Sequence, residues 1–533
     1  MKKIQHIKIG LSAIALAVIL SGCASDTQVA DSDEALLKTS GPRALQLTAD
    51  PIAPSSKWKL IWNDEFDGDE INKRKWSHEE NCWGGGNNEQ QCYTDRASNS
   101  FVKDGKLHIV AKKGRFTGPD NVNGNTKSTT SLPYTSARLR TMNKGDWKYG
   151  RFDIRAKLPT GQGTWPAIWM LPTDYVFGGW AASGEIDIME AVNLKAQSTE
   201  SGAVKGEEES RVFGTLHFGK VWPDNEHTGQ ATHLPGNVNP GDDFHTYSIE
   251  WEEGEIRWYI DNVHFATQKQ SGWYSQYKKD GNLVSGGEGA PFNQKFHLLL
   301  NLAVGGNWAA KANEGGIDKS AFPQKMEVDY VRVYRCTEDR WKGKGCAAIS
   351  DQAKFVEGVS EPEILPDDPN FGKGPVFEVY KDALSANIAF AEYDPGEEVK
   401  QEEVEEAGHG KVWKITKKGA GGNVYLRAQR SNLSHWMDNG QLVFDLKVES
   451  KDSGTELLVK MDSGWPNASD ITVQQPPEGT WGEVRINVAE LIGKGNRYAS
   501  GKADISQIGN VLVVEPLGKM TLKIDNVRFE YGK

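Results

Sequence analysis

The stretch Ser183-Gly184-Glu185-Ile186-Asp187-Ile188-Met189-Glu190-Ala191 decides how this chain is read. Three carboxylates alternate with apolar residues, the pattern of a β-strand with one polar and one apolar face. Strand side chains alternate sides, so Glu185 and Asp187 share a face. Strict alternation puts Met189 on that face and turns Glu190 away. One extra residue near Ile188-Met189, a β-bulge, returns Glu190 to the acidic side. The Cα atoms of the two glutamates then stand roughly 13 Å apart at ~3.3 Å per residue, with their side chains leaning inward over Asp187. The competing reading is an exposed acidic strand at a sheet edge. The sequence around it decides between the two.

Just upstream lies Gly161-Gln162-Gly163-Thr164-Trp165-Pro166-Ala167-Ile168-Trp169-Met170-Leu171-Pro172, and Trp180 follows. Indole faces pack on the C–H faces of sugar rings while the hydroxyls stay hydrated or bonded. A single Trp is more often core, but Gly and Pro beside these residues argue for strand and loop ends. Further out, short alternating runs recur between Gly, Asn and Asp turns: Leu60–Trp62, Leu107–Val110, Gly150–Ala156, Phe244–Trp251 and Ile256–Ile260, the last two reading as a hairpin. Phe296–Val304 is nearly all apolar, as a strand buried on both faces would be. Met326–Tyr334 alternates again. No long amphipathic run appears, so the fold class expected is all-β, built on antiparallel sandwiches. Residues 120–131 and 196–210 are polar and read as mobile loops.

The chain has 533 residues, room for several domains, and a formal net charge of -11. Such a balance excludes nucleic acid as a natural partner and suits a neutral, polyhydroxyl one. Residues 1–22 place Lys2, Lys3 and Lys8 before the apolar run Leu11–Leu20, which is too short to span a bilayer and reads as a signal peptide. Leu20-Ser21-Gly22-Cys23 resembles the bacterial lipoprotein box, which implies cleavage and lipidation at Cys23. Ala24 in the next position implies export to the outer membrane. Residues 23–56 read as a flexible tether. The remaining cysteines, Cys82, Cys92, Cys336 and Cys346, allow three pairings in an oxidising compartment. The ten-residue spacing within each pair favours Cys82–Cys92 and Cys336–Cys346. No His or Cys spacing suggests zinc.

Residues 347–372, with Glu361-Pro362-Glu363 and Leu365-Pro366-Asp367-Asp368-Pro369, read as an acidic, Pro-stiffened linker. It separates a first domain, 57–346, from a second β pattern over 373–533.

Seven motifs occur in the order seen in family 16 glycoside hydrolases: Asn63–Gly68, Asn87–Thr94, Thr135–Leu139, Trp165–Pro172, Glu185–Glu190, Gly214–His217 and Gly305–Trp308. They resemble the bacterial laminarinases, endo-β-1,3-glucanases, over roughly Trp58 to Arg335. The resemblance implies a jelly-roll sandwich with an open cleft, Glu185 as nucleophile, Glu190 as general acid/base and Asp187 as electrostatic assistant. The chemistry agrees, since double displacement needs two carboxyls ~5–5.5 Å apart, one ionised and one protonated. The bulged acidic sextet speaks against mixed-linkage lichenases, which usually lack the extra residue. Mixed-linkage glucan and algal galactan stay open as substrates. A non-catalytic glucan-recognition protein is a further alternative, although such relatives usually lose the glutamates.

The resemblance also suggests sugar contacts at Asn88, Arg138, Trp165, Trp169 and His217, with Trp180 and Trp308 behind them. Arg138 could instead be a sheet-face ion pair, His217 a core histidine and Asn88 a turn residue. No cofactor is expected for catalysis. A structural calcium on the opposite face would be held by the Glu65 and Gly105 carbonyls and the Asp329 side chain, an oxygen-only set. The C-terminal region resembles galactose-binding-like jelly rolls, through Leu458–Asn467 and Ile524–Phe529, and implies carbohydrate binding with Trp436, Trp465 and Trp481 as platforms. The partners expected are a β-glucan and, through the lipid, a membrane; the chain is expected to be a monomer.

Overall fold

The computed structural model describes residues 45, 46, 50–199, 206–222, 224–234, 236, 238–364, 370–394, 398–419 and 421–532. The signal peptide, Cys23 and most of the tether lie outside the described residues.

Two sheets face each other across the first core. The smaller one has the antiparallel run Asn225–His233, Val212–Gly219, Glu185–Glu190, Thr164–Pro172, Phe296–Val304, Arg138–Arg140. The larger is built around His245–Glu252, Gly150–Lys157 and Gln324–Cys336. Their inner faces supply a shared core that includes Ile168, Met170, Ile186, Ile188, Trp251 and Trp258. All nine residues of Phe296–Val304 are buried. This strand sits second to the acidic strand in the sheet, covered by core on one side and by the polar face's side chains on the other. The expected hairpin forms, closing with Glu252 opposite Glu255. Cys82–Cys92 and Cys336–Cys346 are both bonded.

Two segments read as unstructured are not. Leu45–Gln46, inside the expected tether, pairs in parallel with Asn225–His233. Within the expected linker, Lys354–Val356 adds a parallel edge strand beside Val263–Lys269. Val356 and Val359 pack on the first core, and Gln276 Nε2 donates to the Pro362 carbonyl. Runs of two or three residues are too short for periodicity to register, so only their partners reveal them. The loop read over 196–210 is also pinned at its described end. Glu209 is buried, bonded through Oε2 to Arg211 Nη2 and to Asn313 Nδ2.

A second pair of sheets, seven- and five-stranded, encloses its own core from Phe371 to Phe529. Trp436 belongs to that core, fully buried with Nε1 donating to the Gly372 carbonyl. It therefore cannot be a platform, which corrects the expectation drawn from the resemblance to galactose-binding-like domains. Trp481 is half-buried with its ring stacked on His409 at 4.0 Å. Trp465 is bare. Both sandwiches belong to one compact unit.

Candidate active site

The acidic strand is bulged. Ile168 lies opposite Met189, while the next residue, Trp169, lies opposite Asp187, so Ile188 is the extra residue. On the other side Thr215 pairs with Asp187 and Phe213 with Glu190. There one residue, Gly214, opposes two, Ile188 and Met189, which turns Glu190 to the side of Glu185 and Asp187. Ile186, Ile188 and Met189 are left in the core. The disturbed ladder needs a substitute partner for its backbone. Trp258 supplies one, its Nε1 donating to the Asp187 carbonyl at 2.9 Å. The indole fits because residue 214 is glycine; a Cβ there would stand 2.4 Å from Trp258 Cδ1.

An indole N–H serves each end of the strand. Trp180 Nε1 donates to Glu185 Oε2 at 2.8 Å, and Trp165 Nε1 to Glu190 Oε1 at 2.9 Å. His217, paired with Glu185 across the strands, brings Nε2 to 3.3 Å from Asp187 Oδ2 and 3.8 Å from Glu185 Oε1. Its ring is flanked by Trp180 and by His227.

These surroundings hold protons on the cluster. Burial pushes the Glu185 carboxyl up to about 8, and the charges of Asp187 and Glu190 add to it, against His217 and the Trp180 N–H. Burial, then the charge of Glu190, raises Asp187 well above the usual carboxylate range. Glu190 is raised as well, by burial, with His217 and the Trp165 N–H opposing. Three carboxyls this close titrate as one unit. A unit with one ionised and one protonated member meets the condition for attack by one and proton donation by another.

The contact residues expected from sequence gather around this cluster. Trp308 meets Trp165 edge-on at 5.3 Å. Exposed Asn88 donates through Nδ2 to Asn307 Oδ1 at 3.0 Å, tying its loop to the one bearing Trp308. Trp169, on the same face as Trp165, donates through Nε1 to Asn301. Arg138 is a buried ion-pair member, sandwiched between the rings of Tyr93 at 4.4 Å and Trp169 at 5.1 Å and bonded to Glu79 and the Tyr93 hydroxyl. It braces the Trp169 ring from behind.

Sequence reasoning missed this second layer. Glu89 accepts from Gln91 Nε2 at 2.6 Å and from the Tyr93 hydroxyl at 3.4 Å. Glu79 receives both Arg138 and Arg140. His227 and Asn301 support His217 and Trp169. Glu79 lies just beyond the short strand Ser77–His78 and Glu89 just before Gln91–Tyr93, and only the packing of these segments against the sheet brings the four residues to the site.

The calcium set fares differently. Glu65 turns its side chain onto Arg332 with two hydrogen bonds. Asp329, the only anionic ligand of the set, has Oδ2 at 2.6 Å from Arg155 Nη1. A guanidinium on that carboxylate repels a divalent cation, so the arrangement does not fit calcium. Among the described residues, Glu185, Asp187 and His217 form one cluster with metal-ligand spacing, and His409, Asp445 and Asp525 of the second sandwich another. In the second, Asn526 Nδ2 donates to Asp445 Oδ2 and His409 pairs with Asp525.

A family model described as "Beta-porphyranase A-D, GH16 domain" matches residues 58–336, just over half the chain. The chain is similar to the glucan endo-1,3-beta-glucosidase A1 of Niallia circulans, 41% identical over 286 residues, which covers 52% of this chain and 38% of that protein. It is similar to a beta-glucanase of Rhodothermus marinus, 37% identical over 55% of this chain and 90% of that one. It is also similar to a glucan endo-1,3-beta-glucosidase of Cryptopygus antarcticus, 36% identical over 52% of this chain and 92% of that one.

Proposed function

The chain belongs to glycoside hydrolase family 16, and we propose that it is a retaining endo-β-1,3-glucanase acting on laminarin-type polysaccharide by double displacement. The observation that carries this reading is the bulge at Ile188, which puts Glu185, Asp187 and Glu190 on one face. Ionised Glu185 attacks the anomeric carbon as protonated Glu190 gives its proton to the departing oxygen, and the glycosidic bond breaks. Glu190 then takes a proton from water. That water attacks the anomeric carbon, the Glu185 ester opens, and the β configuration returns. Asp187 shares protons with both neighbours and holds their geometry. Trp165, Trp169, Trp308, His217 and Asn88 line the sugar path, with Arg138 behind Trp169. The names of the three relatives support the glucan. The test is incubation with laminarin followed by proton NMR. The first product is expected to be β-anomeric oligosaccharide; α-anomeric first product overturns the mechanism.

One observation favours a second substrate, a galactan: the matching family model is the one described for β-porphyranases. A panel of laminarin, lichenan, agarose and porphyran with product sizing decides. Cleavage of a galactan without laminarin overturns the glucan reading and leaves the double displacement standing.

The rest of the chain is read from sequence. Lipidation at Cys23 would tether a monomer to the outer membrane, and the second sandwich would bind carbohydrate. Cys23→Ala is expected to move the protein from the membrane fraction to the soluble one.

A further inference from the structure

Besides Trp341, at 70% exposed, two described tryptophans are more than half bare, Trp222 at 66% and Trp465 at 56%. They sit on different sandwiches. An indole this exposed contributes little to packing, and its apolar faces are unused.

Both are held in place. The backbone N–H of Trp222 donates to the Trp180 carbonyl at 3.0 Å, and Trp180 is the residue whose indole N–H holds Glu185. The loop carrying Trp465 is closed by Asn467 N donating to the Gly464 carbonyl at 2.8 Å and by Ser463 Oγ donating to the Asn467 carbonyl at 3.0 Å.

A single arginine joins the two loops. Arg430 of the second sandwich meets Asp224 with two parallel hydrogen bonds, Nε to Oδ2 at 3.0 Å and Nη2 to Oδ1 at 2.8 Å. Its Nη1 donates to the Ser463 carbonyl. Asp224 is two residues beyond Trp222, and Ser463 two residues before Trp465. A second pair of opposite charges, Glu226 and Arg427, interacts across the same seam. A bidentate arginine–carboxylate pair fixes orientation as well as distance.

We propose that Trp222 and Trp465 form a composite polysaccharide platform that continues the active site beyond its Glu185 end and across the seam between the sandwiches. It rests on the hydrolase reading for its ligand class, a β-linked hexose chain. A chain seated over Glu185 passes Trp180 and then the Trp222 loop. Once one segment is bound, contact with Trp465 is intramolecular and adds affinity without a second encounter. Arg430 holds the two loops in register.

The experiment is affinity electrophoresis of the full chain carrying Glu185→Gln, so that the polymer survives, in gels holding laminarin, lichenan or agarose. Trp222→Ala and Trp465→Ala are each expected to weaken retention roughly three- to tenfold, the yield of one aromatic contact. Trp222→Phe and Trp465→Phe are expected to recover most of it. Arg430→Ala is expected to weaken retention although it removes no ring. Unchanged retention in the Trp222→Ala, Trp465→Ala double variant overturns the platform, as does a parent protein that no polymer retards. Retention by agarose alone overturns the glucan reading, and the platform is then judged in that gel. Retention by laminarin without turnover in the unsubstituted protein overturns the hydrolase reading, while the variants still decide the platform.

Discussion

Trp165 Nε1 stands 2.9 Å from Glu190 Oε1, so the indole proposed to line the sugar path also donates to the proposed acid/base. That bond favours ionised Glu190 and lowers its pKa against the rise caused by burial. Trp165→Phe keeps a ring and removes the donor. The Glu190 pKa then rises, the protonated acid persists to higher pH, and the basic limb of the kcat/KM profile moves up. The value at the optimum is expected to fall roughly tenfold, about 1.4 kcal/mol for one lost charge-assisted bond. A basic limb that stays in place contradicts the role of this contact.

Removing either glutamate separates the two proposed roles. Glu185→Ala is expected to lose on the order of 10⁴-fold in kcat, and azide should restore turnover by giving an α-glycosyl azide. Glu190→Ala is expected to lose roughly 10²–10⁴-fold, with azide giving the β product through the intact ester. Product configuration by NMR checks both, and the same anomer from both variants would reverse or remove the assignments.

The raised Glu185 carboxyl also predicts a pH dependence of stability. Its folded pKa of about 8 lies above the unfolded value near 4.5. A carboxyl shifted upward contributes stability below its unfolded pKa and loses it as pH rises through the folded one. Glu185→Gln cannot ionise and escapes that loss. Its melting temperature is expected to match the parent at pH 4 and to exceed it at pH 8.5 by roughly 2–4 °C. Scanning calorimetry at the two pH values tests this; an equal difference at both would mean the shift is absent.

Trp258 fills the gap the bulge leaves in the ladder. Trp258→Phe strands the buried Asp187 carbonyl and is expected to cost about 1–3 kcal/mol. Activity should fall more than stability explains, because the strand is free to relax. Urea unfolding together with kcat at a permissive temperature distinguishes the two effects.

Much of the first sandwich was legible because its strands are long enough to alternate. Gly150–Lys157 and His245–Glu252 carry their strand character in alternation, and Phe296–Val304 carries its burial on both faces in a nearly all-apolar run. Leu45–Gln46 and Lys354–Val356 were illegible, since two or three residues show no period and gain their conformation from a neighbour. Trp436 sits on the single turn Ser434–Met437, too short for periodicity to tell a buried side from an exposed one.

By itself the sequence determined the alternation of the acidic strand, the tryptophans beside it and the need for one extra residue if three acids were to share a side. These follow from backbone stereochemistry, which acts within a few residues. Only the tertiary structure decided where the extra residue goes, which carbonyl Trp258 must satisfy, which guanidinium occupies Asp329 and how Arg430 ties the loop of Trp222 to that of Trp465. Those depend on desolvation and on charges from segments up to hundreds of residues apart, and such energies are set only once the chain has packed.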